Sequence, residues 1–383
     1  MKTAVYFFKK VDIHYEYDII GLTVNRFYER LFIMEKKNLV VVGYGGMGGG
    51  YHVAKAIEKG VVNLLGIYDI DPAKSELARS RGIFAYDSLD AVLADDRVDI
   101  ITVAIPNDDH LGTVVKALNA GKHVICEKPV AMSSDEFAQM VEAAEKNNCV
   151  FSVHQNRRWD VDFLGMKQIW NSGEIGKVFN YESRIHGSRG IPSDWRGEKE
   201  HGGGMLLDWG VHLIDQALQL FKQKITGIYC KFIHTTNFEV DDGYKLFIYF
   251  EDGAQAYIET GTYNFIALPR LYMQGDKGTA LITDWREKAK VTVCKHWHES
   301  DVIPVQTGAG LTKTMAPRDS ITVDEYEIDR PTADVYDYYR NFCDVIDGKA
   351  ELIVKPHEVM RVMKVMEAAF KSDELGQVVA FEE

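Results

Sequence analysis

Nothing in this sequence reads as a membrane span: no apolar run approaches the roughly 18 residues that a spanning helix needs. Cysteine is scarce. The five present (Cys126, Cys149, Cys230, Cys294, Cys343) are scattered and never spaced C-x-x-C. That leaves neither a disulfide framework nor a cysteine metal site, and it fits a reducing cytoplasm. Positive charge is in deficit. The formal net charge of −13 argues against nucleic acid and anionic membrane surfaces as partners. No internal repeat and no low-complexity tract appears. What remains is an ordinary globular composition, 46% hydrophobic and 26% charged, in a chain of 383 residues, long enough for two domains.

The chain is organised around one stretch, Asn38-Leu-Val-Val-Val-Gly43-Tyr-Gly45-Gly46-Met47-Gly48. A short, mostly β-branched run predicts a buried strand. A G-x-G-x-x-G turn follows at once, and the segment from Gly49 to Lys59 predicts a helix. Strand, glycine turn and helix in that order form the context in which this motif binds a dinucleotide. Gly43 permits the tight turn, Gly45 lets the backbone approach a pyrophosphate, and Gly48 lets the helix approach the strand. The helix N-terminus supplies free N–H groups to the phosphates.

A second strand, Val61–Ile67, leads into Tyr68-Asp69. Asp69 lies 21 residues beyond Gly48, close to the spacing at which a carboxylate meets the adenosine ribose. It would accept hydrogen bonds from the ribose hydroxyls and repel a 2′-phosphate, which favours NAD over NADP. Further alternation follows: helices over 73–81, 88–94, 111–120 and 134–147, and strands over 100–105, 124–126 and 150–154. This predicts an α/β fold with a parallel, doubly wound sheet in residues 34–155.

From Gly176 onward, period-two strands with short connections predict a second, α+β domain over 156–383. Its sheet is expected to be mainly antiparallel and open on one face. Amphipathic helices are expected over 331–347 and 356–372. His296 and His298 would share a strand face, with no third metal ligand evident. Residues 1–33 precede the first strand of the nucleotide fold. They read as an upstream extension or an accessory arm, whose Tyr15, Tyr17, Phe27, Tyr28 and Phe32 could bury aromatic surface in an oligomer.

Six pieces together carry a resemblance: Gly43-x-Gly45-x-x-Gly48, Asp69, Pro106-x-x-x-His110, Glu127-Lys128-Pro129, Asn156-Arg157-Arg158 and the segment Gly202–Asp215. With them the chain resembles the Gfo/Idh/MocA family of oxidoreductases over residues 38 to 383. The resemblance implies a Rossmann domain binding NAD and a second domain for substrate and oligomer contacts, in a homo-oligomer (dimer, tetramer or larger). It implies that Gly43, Gly45, Gly46, Met47, Gly48, Asp69, Pro106, Asn107, His110, Glu127, Lys128, Asn156, Trp195 and Arg196 meet the cofactor. It also implies that Lys128, Arg157, Asp208 and His212 meet the substrate, with Lys128, Asp208 and His212 catalytic and no metal required. In the family the peptide bond before Pro129 is cis.

The chemistry of the residues agrees. Lys128 would sit at a strand's carboxyl end, facing the ligand crevice, where an oxidised nicotinamide lowers the lysine pKa. Imidazole exchanges protons near neutrality, and a carboxylate orients substrate or holds the lysine. Asp208 and His212, four apart, share a helix face, with Asp215 expected in a structural role. Trp195-Arg196 reads equally as a ligand contact or as a loop ion pair with Glu198 or Glu200.

Three functions are compatible. The first is an NAD-dependent dehydrogenase acting on a secondary hydroxyl of a small carbohydrate, glycoside or cyclitol. The second retains NAD and uses transient oxidation for glycoside hydrolysis or elimination. The third is a non-catalytic NAD-binding regulator, against which the intact Lys128, Asp208 and His212 set counts. Arg157, Arg158, Arg184, Arg189 and Arg196 would suit an anionic or a hydroxyl-rich ligand. Because every recognised piece follows Met34, a chain begun there should stay soluble and bind NAD. Loss of either on truncation would make the arm integral.

Overall fold

A computed structural model of the chain describes residues 36–296, 303–312, 315–318 and 320–382. The expected arm at 1–33 and His298 lie outside the described residues. From Asn38 onward the chain forms one compact unit.

The first sheet is wholly parallel. β1 (Asn38–Val42), β2 (Asn63–Tyr68), β3 (Ile100–Val103), β4 (His123–Cys126) and β5 (Phe151–Val153) lie in the order β2-β1-β3-β4-β5. β3 is buried along its whole length, as a strand covered on both faces must be, and its sequence Ile-Ile-Thr-Val accordingly does not alternate. Between the strands run a π-turn (Gly48–Val53) continuing into α1 (Ala54–Lys59), then α2 (Pro72–Ser80), α3 (Leu89–Ala94), α4 (His110–Asn119) and α5 (Ser134–Lys146). Side-chain caps start three of them. Asp71, Ser88 and Ser133 accept from the backbone N–H of Ala73, Ala91 and Glu136.

The glycine turn is built as its spacing predicts. Gly43 adopts φ +96°, and a Cβ there would lie 2.2 Å from the Ala104 carbonyl oxygen. A Cβ on Gly48 would lie 1.8 Å from the Gly43 carbonyl oxygen, so this residue is where helix and strand touch. Gly45 and Gly46 face open space.

After α6 (Val161–Ser172) the chain builds the second sheet from β6 (Val178–His186), β7 (Ile225–Ile233), β8 (Gly243–Phe250), β9 (Gln255–Gly261), β10 (Leu271–Gly275), β11 (Gly278–Ile282) and β12 (Ala289–Cys294). α7 (Val211–Leu220) lies between β6 and β7, and a small hairpin, β13 (Val305–Thr307) and β14 (Gly310–Thr312), stands apart. With β15 (Val323–Ile328) and β16 (Val379–Ala380) at its edges, the order is β15-β12-β11-β10-β6-β9-β8-β7-β16, antiparallel except for β6 with β9. β15 (Val323–Ile328) has no alternating sequence signal. It pairs on one side only and exposes Asp324, Glu325 and Glu327, so no buried face imposes a period.

The last helices return to the first sheet. α8 (Asp337–Ile346) carries Tyr338 and Tyr339 into the core, and α9 (Pro356–Leu375) packs against α5, α7 and β7. Glu367 of α9 accepts from the Ser134 backbone N–H (2.6 Å) and hydroxyl (2.8 Å) at the start of α5. β16 (Val379–Ala380) then closes the second sheet's edge. α8 starts later than the expected 331, because Asp334 accepts from the Tyr336 backbone N–H (3.0 Å) and turns the chain first.

The glycine geometry separates folding from binding. Gly48→Ala should cost about 1–3 kcal/mol through overpacking, read as a fall of the thermal midpoint by a few degrees. Gly45→Ala should leave the midpoint unchanged. Equal midpoints for the two variants would contradict the close approach at Gly48.

Candidate active site

Two cavities meet at one ion pair. The first, of about 610 Å³, runs along the carboxyl ends of β1, β2, β3 and β4. Its lining includes Gly43, Gly45, Gly46, Met47, Asp69, Pro106, Asn107, Glu127, Lys128, Trp195 and Arg196. The second, of about 480 Å³, is lined by His186, Arg189, Met205, Asp208, Trp209, Thr260, Thr262 and Trp285, among others. Lys128 lines the first, Asp208 lines the second, and their side chains join at 2.9 Å.

The dinucleotide end fits an extended phosphate-bearing ligand. The cleft is open beside Gly45 and Gly46, where a side chain would project into free space. Asp69 ends β2 with its carboxylate fixed: it accepts from the backbone N–H groups of Tyr44 (2.6 Å) and Asp71 (2.8 Å). Arg81 donates to the Tyr44 hydroxyl (3.3 Å) rather than to Asp69. Gly48 is buried beneath the turn and does not line the cleft.

His110 is fully buried, and its ring nitrogens face the carbonyls of Ile105 (3.0 Å) and Pro129 (3.0 Å). Burial lowers its pKa although the carbonyls favour the charged form; the ring is wedged between the ends of β3 and β4. Asn107 donates to the carbonyls of His201 (3.3 Å) and Gly202 (3.2 Å), which clasps the loop after β6 to the cleft. Asn156 sits half-buried in the turn after β5 and lines neither cavity.

At the junction, Lys128 follows β4 and its peptide bond to Pro129 is cis. Its ammonium donates to the Asp208 carboxylate and to the Asp208 carbonyl (3.0 Å). Asp208 also takes the guanidinium Nε of Arg196 at 3.2 Å. Burial opposes its ionisation, but the charges of Lys128 and Arg196 prevail and its pKa falls. Arg196 therefore pairs with Asp208 and Asp194, not with Glu198 or Glu200, while stacking on Trp195.

His212 is buried at the start of α7, beside the ring of Trp209, and its Nδ1 has no hydrogen-bond partner among the described residues. Burial first, and then the charges of Lys128 and Arg157, push its pKa well below the ordinary value, so it is neutral at physiological pH. Asp208 lies in a π-turn (Leu206–Gly210) that runs into α7, so the two residues do share one helical run.

The five candidate arginines are not equivalent. Arg157 stacks on Trp209, 4.0 Å from the ring centre, and pairs with Asp160. Arg158 is buried between Asp215 (2.6 Å) and Glu358 (2.8 Å), which gives Asp215 its expected structural role. Arg184 pairs with Glu182 and Glu259. Arg189 is exposed in the wall of the second cavity and pairs with no carboxylate among the described residues.

The sequence reading missed the aromatic wall of the second cavity, Trp209 and Trp285, whose ring centres lie 5.9 Å apart. Trp209 follows Asp208 directly, so its neighbour was a signal. Trp285 comes from the turn after β11 and had none.

Comparison with known proteins agrees with this geometry. Residues 37–155 match an oxidoreductase family with an NAD-binding Rossmann fold, and residues 163–281 match the GFO/IDH/MocA C-terminal domain. The crystal structure of an NAD-binding protein from Listeria innocua is 43% identical, with a TM-score of 0.87, covering 91% of this chain and all of that one. The scyllo-inositol 2-dehydrogenase (NADP(+)) IolW of Bacillus subtilis is 27% identical over 77% of this chain and 82% of its own length. The D-glucoside 3-dehydrogenase of Escherichia coli is 25% identical over 47% of this chain and 52% of its own. The strand–glycine–helix cradle, the second domain over the sheet's carboxyl ends and these matches give one conclusion: the chain belongs to the GFO/IDH/MocA family of NAD-binding, Rossmann-fold oxidoreductases.

Proposed function

We propose that this protein is an NAD-dependent dehydrogenase acting on a secondary hydroxyl of a sugar, glycoside or cyclitol. The observation that carries the proposal is the junction: a cofactor cleft and a second cavity share the Lys128–Asp208 pair as their common wall. Hydride transfer needs the two reactants within contact, and this is where they would touch. The bound cofactor supplies the hydride acceptor.

The chain's own residues divide the remaining work. Asp208, shared by two cations, holds Lys128 and is a poor proton acceptor. Lys128, so held, orients and polarises the substrate hydroxyl. His212, neutral and with a free ring nitrogen, takes the hydroxyl proton. Trp209 and Trp285 offer flat apolar faces to the C–H face of a sugar or cyclitol ring, and Arg189 adds donors for hydroxyls or an anionic group.

The outer face of the second sheet carries Phe179, Tyr229, Phe247, Tyr249 and Tyr257, which supports a homo-oligomer, to be read by light scattering. Among the described residues no helix is long and apolar enough to cross a membrane.

Four measurements test the reading. A panel of cyclitols, aldoses and glycosides should give net NADH. Turnover of a glycoside without net NADH would favour the NAD-retaining alternative instead. Lys128→Ala and His212→Ala should each lower turnover on the order of 10²–10⁴-fold with NAD affinity nearly kept, and the double variant should lose little more. Near wild-type turnover in Lys128→Ala would refute the assignment. NAD should be preferred over NADP, and Asp69→Ser should erode the preference; equal efficiency with both cofactors in the wild type would refute it. Finally, Lys128→Ala should raise the His212 pKa, read by NMR titration, yet leave it below the free value because burial is the larger cause.

A further inference from the structure

Behind Lys128 lies a buried polar chain that the proton transfer above does not use. Glu127 is 5% exposed and lines the cofactor cleft. Its Oε1 accepts from His52 Nε2 and from His154 Nδ1, each at 2.8 Å. Its Oε2 accepts from the Lys128 backbone N–H at 3.1 Å. His52 Nδ1 lies 2.7 Å from the Tyr339 hydroxyl, which lies 3.2 Å from the Thr102 hydroxyl.

A carboxylate only accepts, so both histidines must present N–H to Glu127. Burial lowers the His52 pKa, so His52 is neutral and its Nδ1 accepts from Tyr339. Tyr339 in turn accepts from Thr102. Every donor in the chain therefore points toward one oxygen.

These three side chains could be read as metal ligands. However, two nitrogens each 2.8 Å from the same oxygen are at hydrogen-bond distance, whereas ligand atoms about 2.0–2.2 Å from a shared tetrahedral zinc would stand roughly 3.3–3.6 Å from one another. The assembly is a device for holding a carboxylate. Burial would raise the Glu127 pKa; the contacts with His154 and His52 outweigh it and keep the group ionised. Nearby charges pair off: Lys128 and Arg196 are matched by Asp208 and Asp194.

We propose that Glu127, held by His52 and His154, is a fixed counter-charge for the oxidised nicotinamide and biases the bound cofactor toward NAD⁺ over NADH. The nicotinamide ring is cationic when oxidised and neutral when reduced, so a buried anion in the cleft wall stabilises only the first. His52, His154 and Tyr339 are positioning residues for that charge. This rests on the NAD-dependent reading above.

The test is equilibrium binding of NAD⁺ and of NADH to the full chain, without substrate. Glu127→Gln should weaken NAD⁺ roughly tenfold more than NADH, the scale of one unit charge at short range in a partly screened site. Glu127→Asp keeps the charge but draws it back by one methylene, so its NAD⁺/NADH preference should lie between wild type and Glu127→Gln. Tyr339→Phe removes the hydroxyl that meets His52 and Thr102 but keeps the ring and the Glu127 charge, and should move the preference least. Equal weakening of both cofactors by Glu127→Gln would overturn the proposal, and so would a Tyr339→Phe shift as large as that of Glu127→Gln. Should Glu127→Gln not fold, Glu127→Asp decides alone: an unchanged preference overturns the idea. If the wild type binds neither cofactor, the NAD reading fails as well; an unaltered preference with both bound fails only this proposal.

Discussion

The site depends on one partly buried ion pair between residues that the sequence keeps far apart. Lys128 follows β4 of the first sheet, and Asp208 lies in the π-turn that leads into α7. Taking either charge out of water alone would cost several kcal/mol. Each is tolerable only against the other, so the pair requires the two halves to meet there. Other contacts then follow from that apposition. Asn107 reaches the carbonyls of His201 and Gly202, and Arg196 reaches the far oxygen of Asp208. The loop carrying Trp195 is thereby drawn over the cofactor cleft, and its other end walls the second cavity.

The same pairing constrains the chemistry. The Lys128 ammonium is directed at the Asp208 carboxylate and carbonyl, which fixes where it can meet a hydroxyl. His212 has the opposite surroundings: no carboxylate bonded to it, cations among its neighbours and complete burial. On the proposed reading, the charged group positions the hydroxyl and the neutral group receives its proton.

Much of this was legible in the sequence because it is local. The strand, the glycine turn and the aspartate after β2 lie within 32 residues, and each has its own steric or electrostatic reason. The alternating elements gave the parallel sheet, and period-two patterning gave most of the second one. What escaped is what depends on distant partners. β15 is an edge strand with no buried face, and Trp285 gains meaning only opposite Trp209. His110 and Asn107 look like ligand contacts by motif. In the fold, the imidazole of His110 braces two strand ends away from the cleft, while Asn107 lines the cleft and its amide also clasps a loop.

The floor of the site shows why the rest could not be read locally. Glu127 belongs to the most recognisable tripeptide in the chain, yet its state is fixed by His52 from the glycine-loop helix and His154 from beyond β5. His52 is oriented in turn by Tyr339, which α8 returns from near the carboxyl end. A solvated glutamate would be screened, and its charge would matter little a few ångströms away. Enclosed by two imidazoles and the aromatic rings of Tyr338 and Tyr339, it acts through a less polarisable medium. The return of α8 to the first sheet thus contributes more than apolar packing. It supplies the hydroxyl that orients His52 and the rings that back the two imidazoles beside the carboxylate next to Lys128.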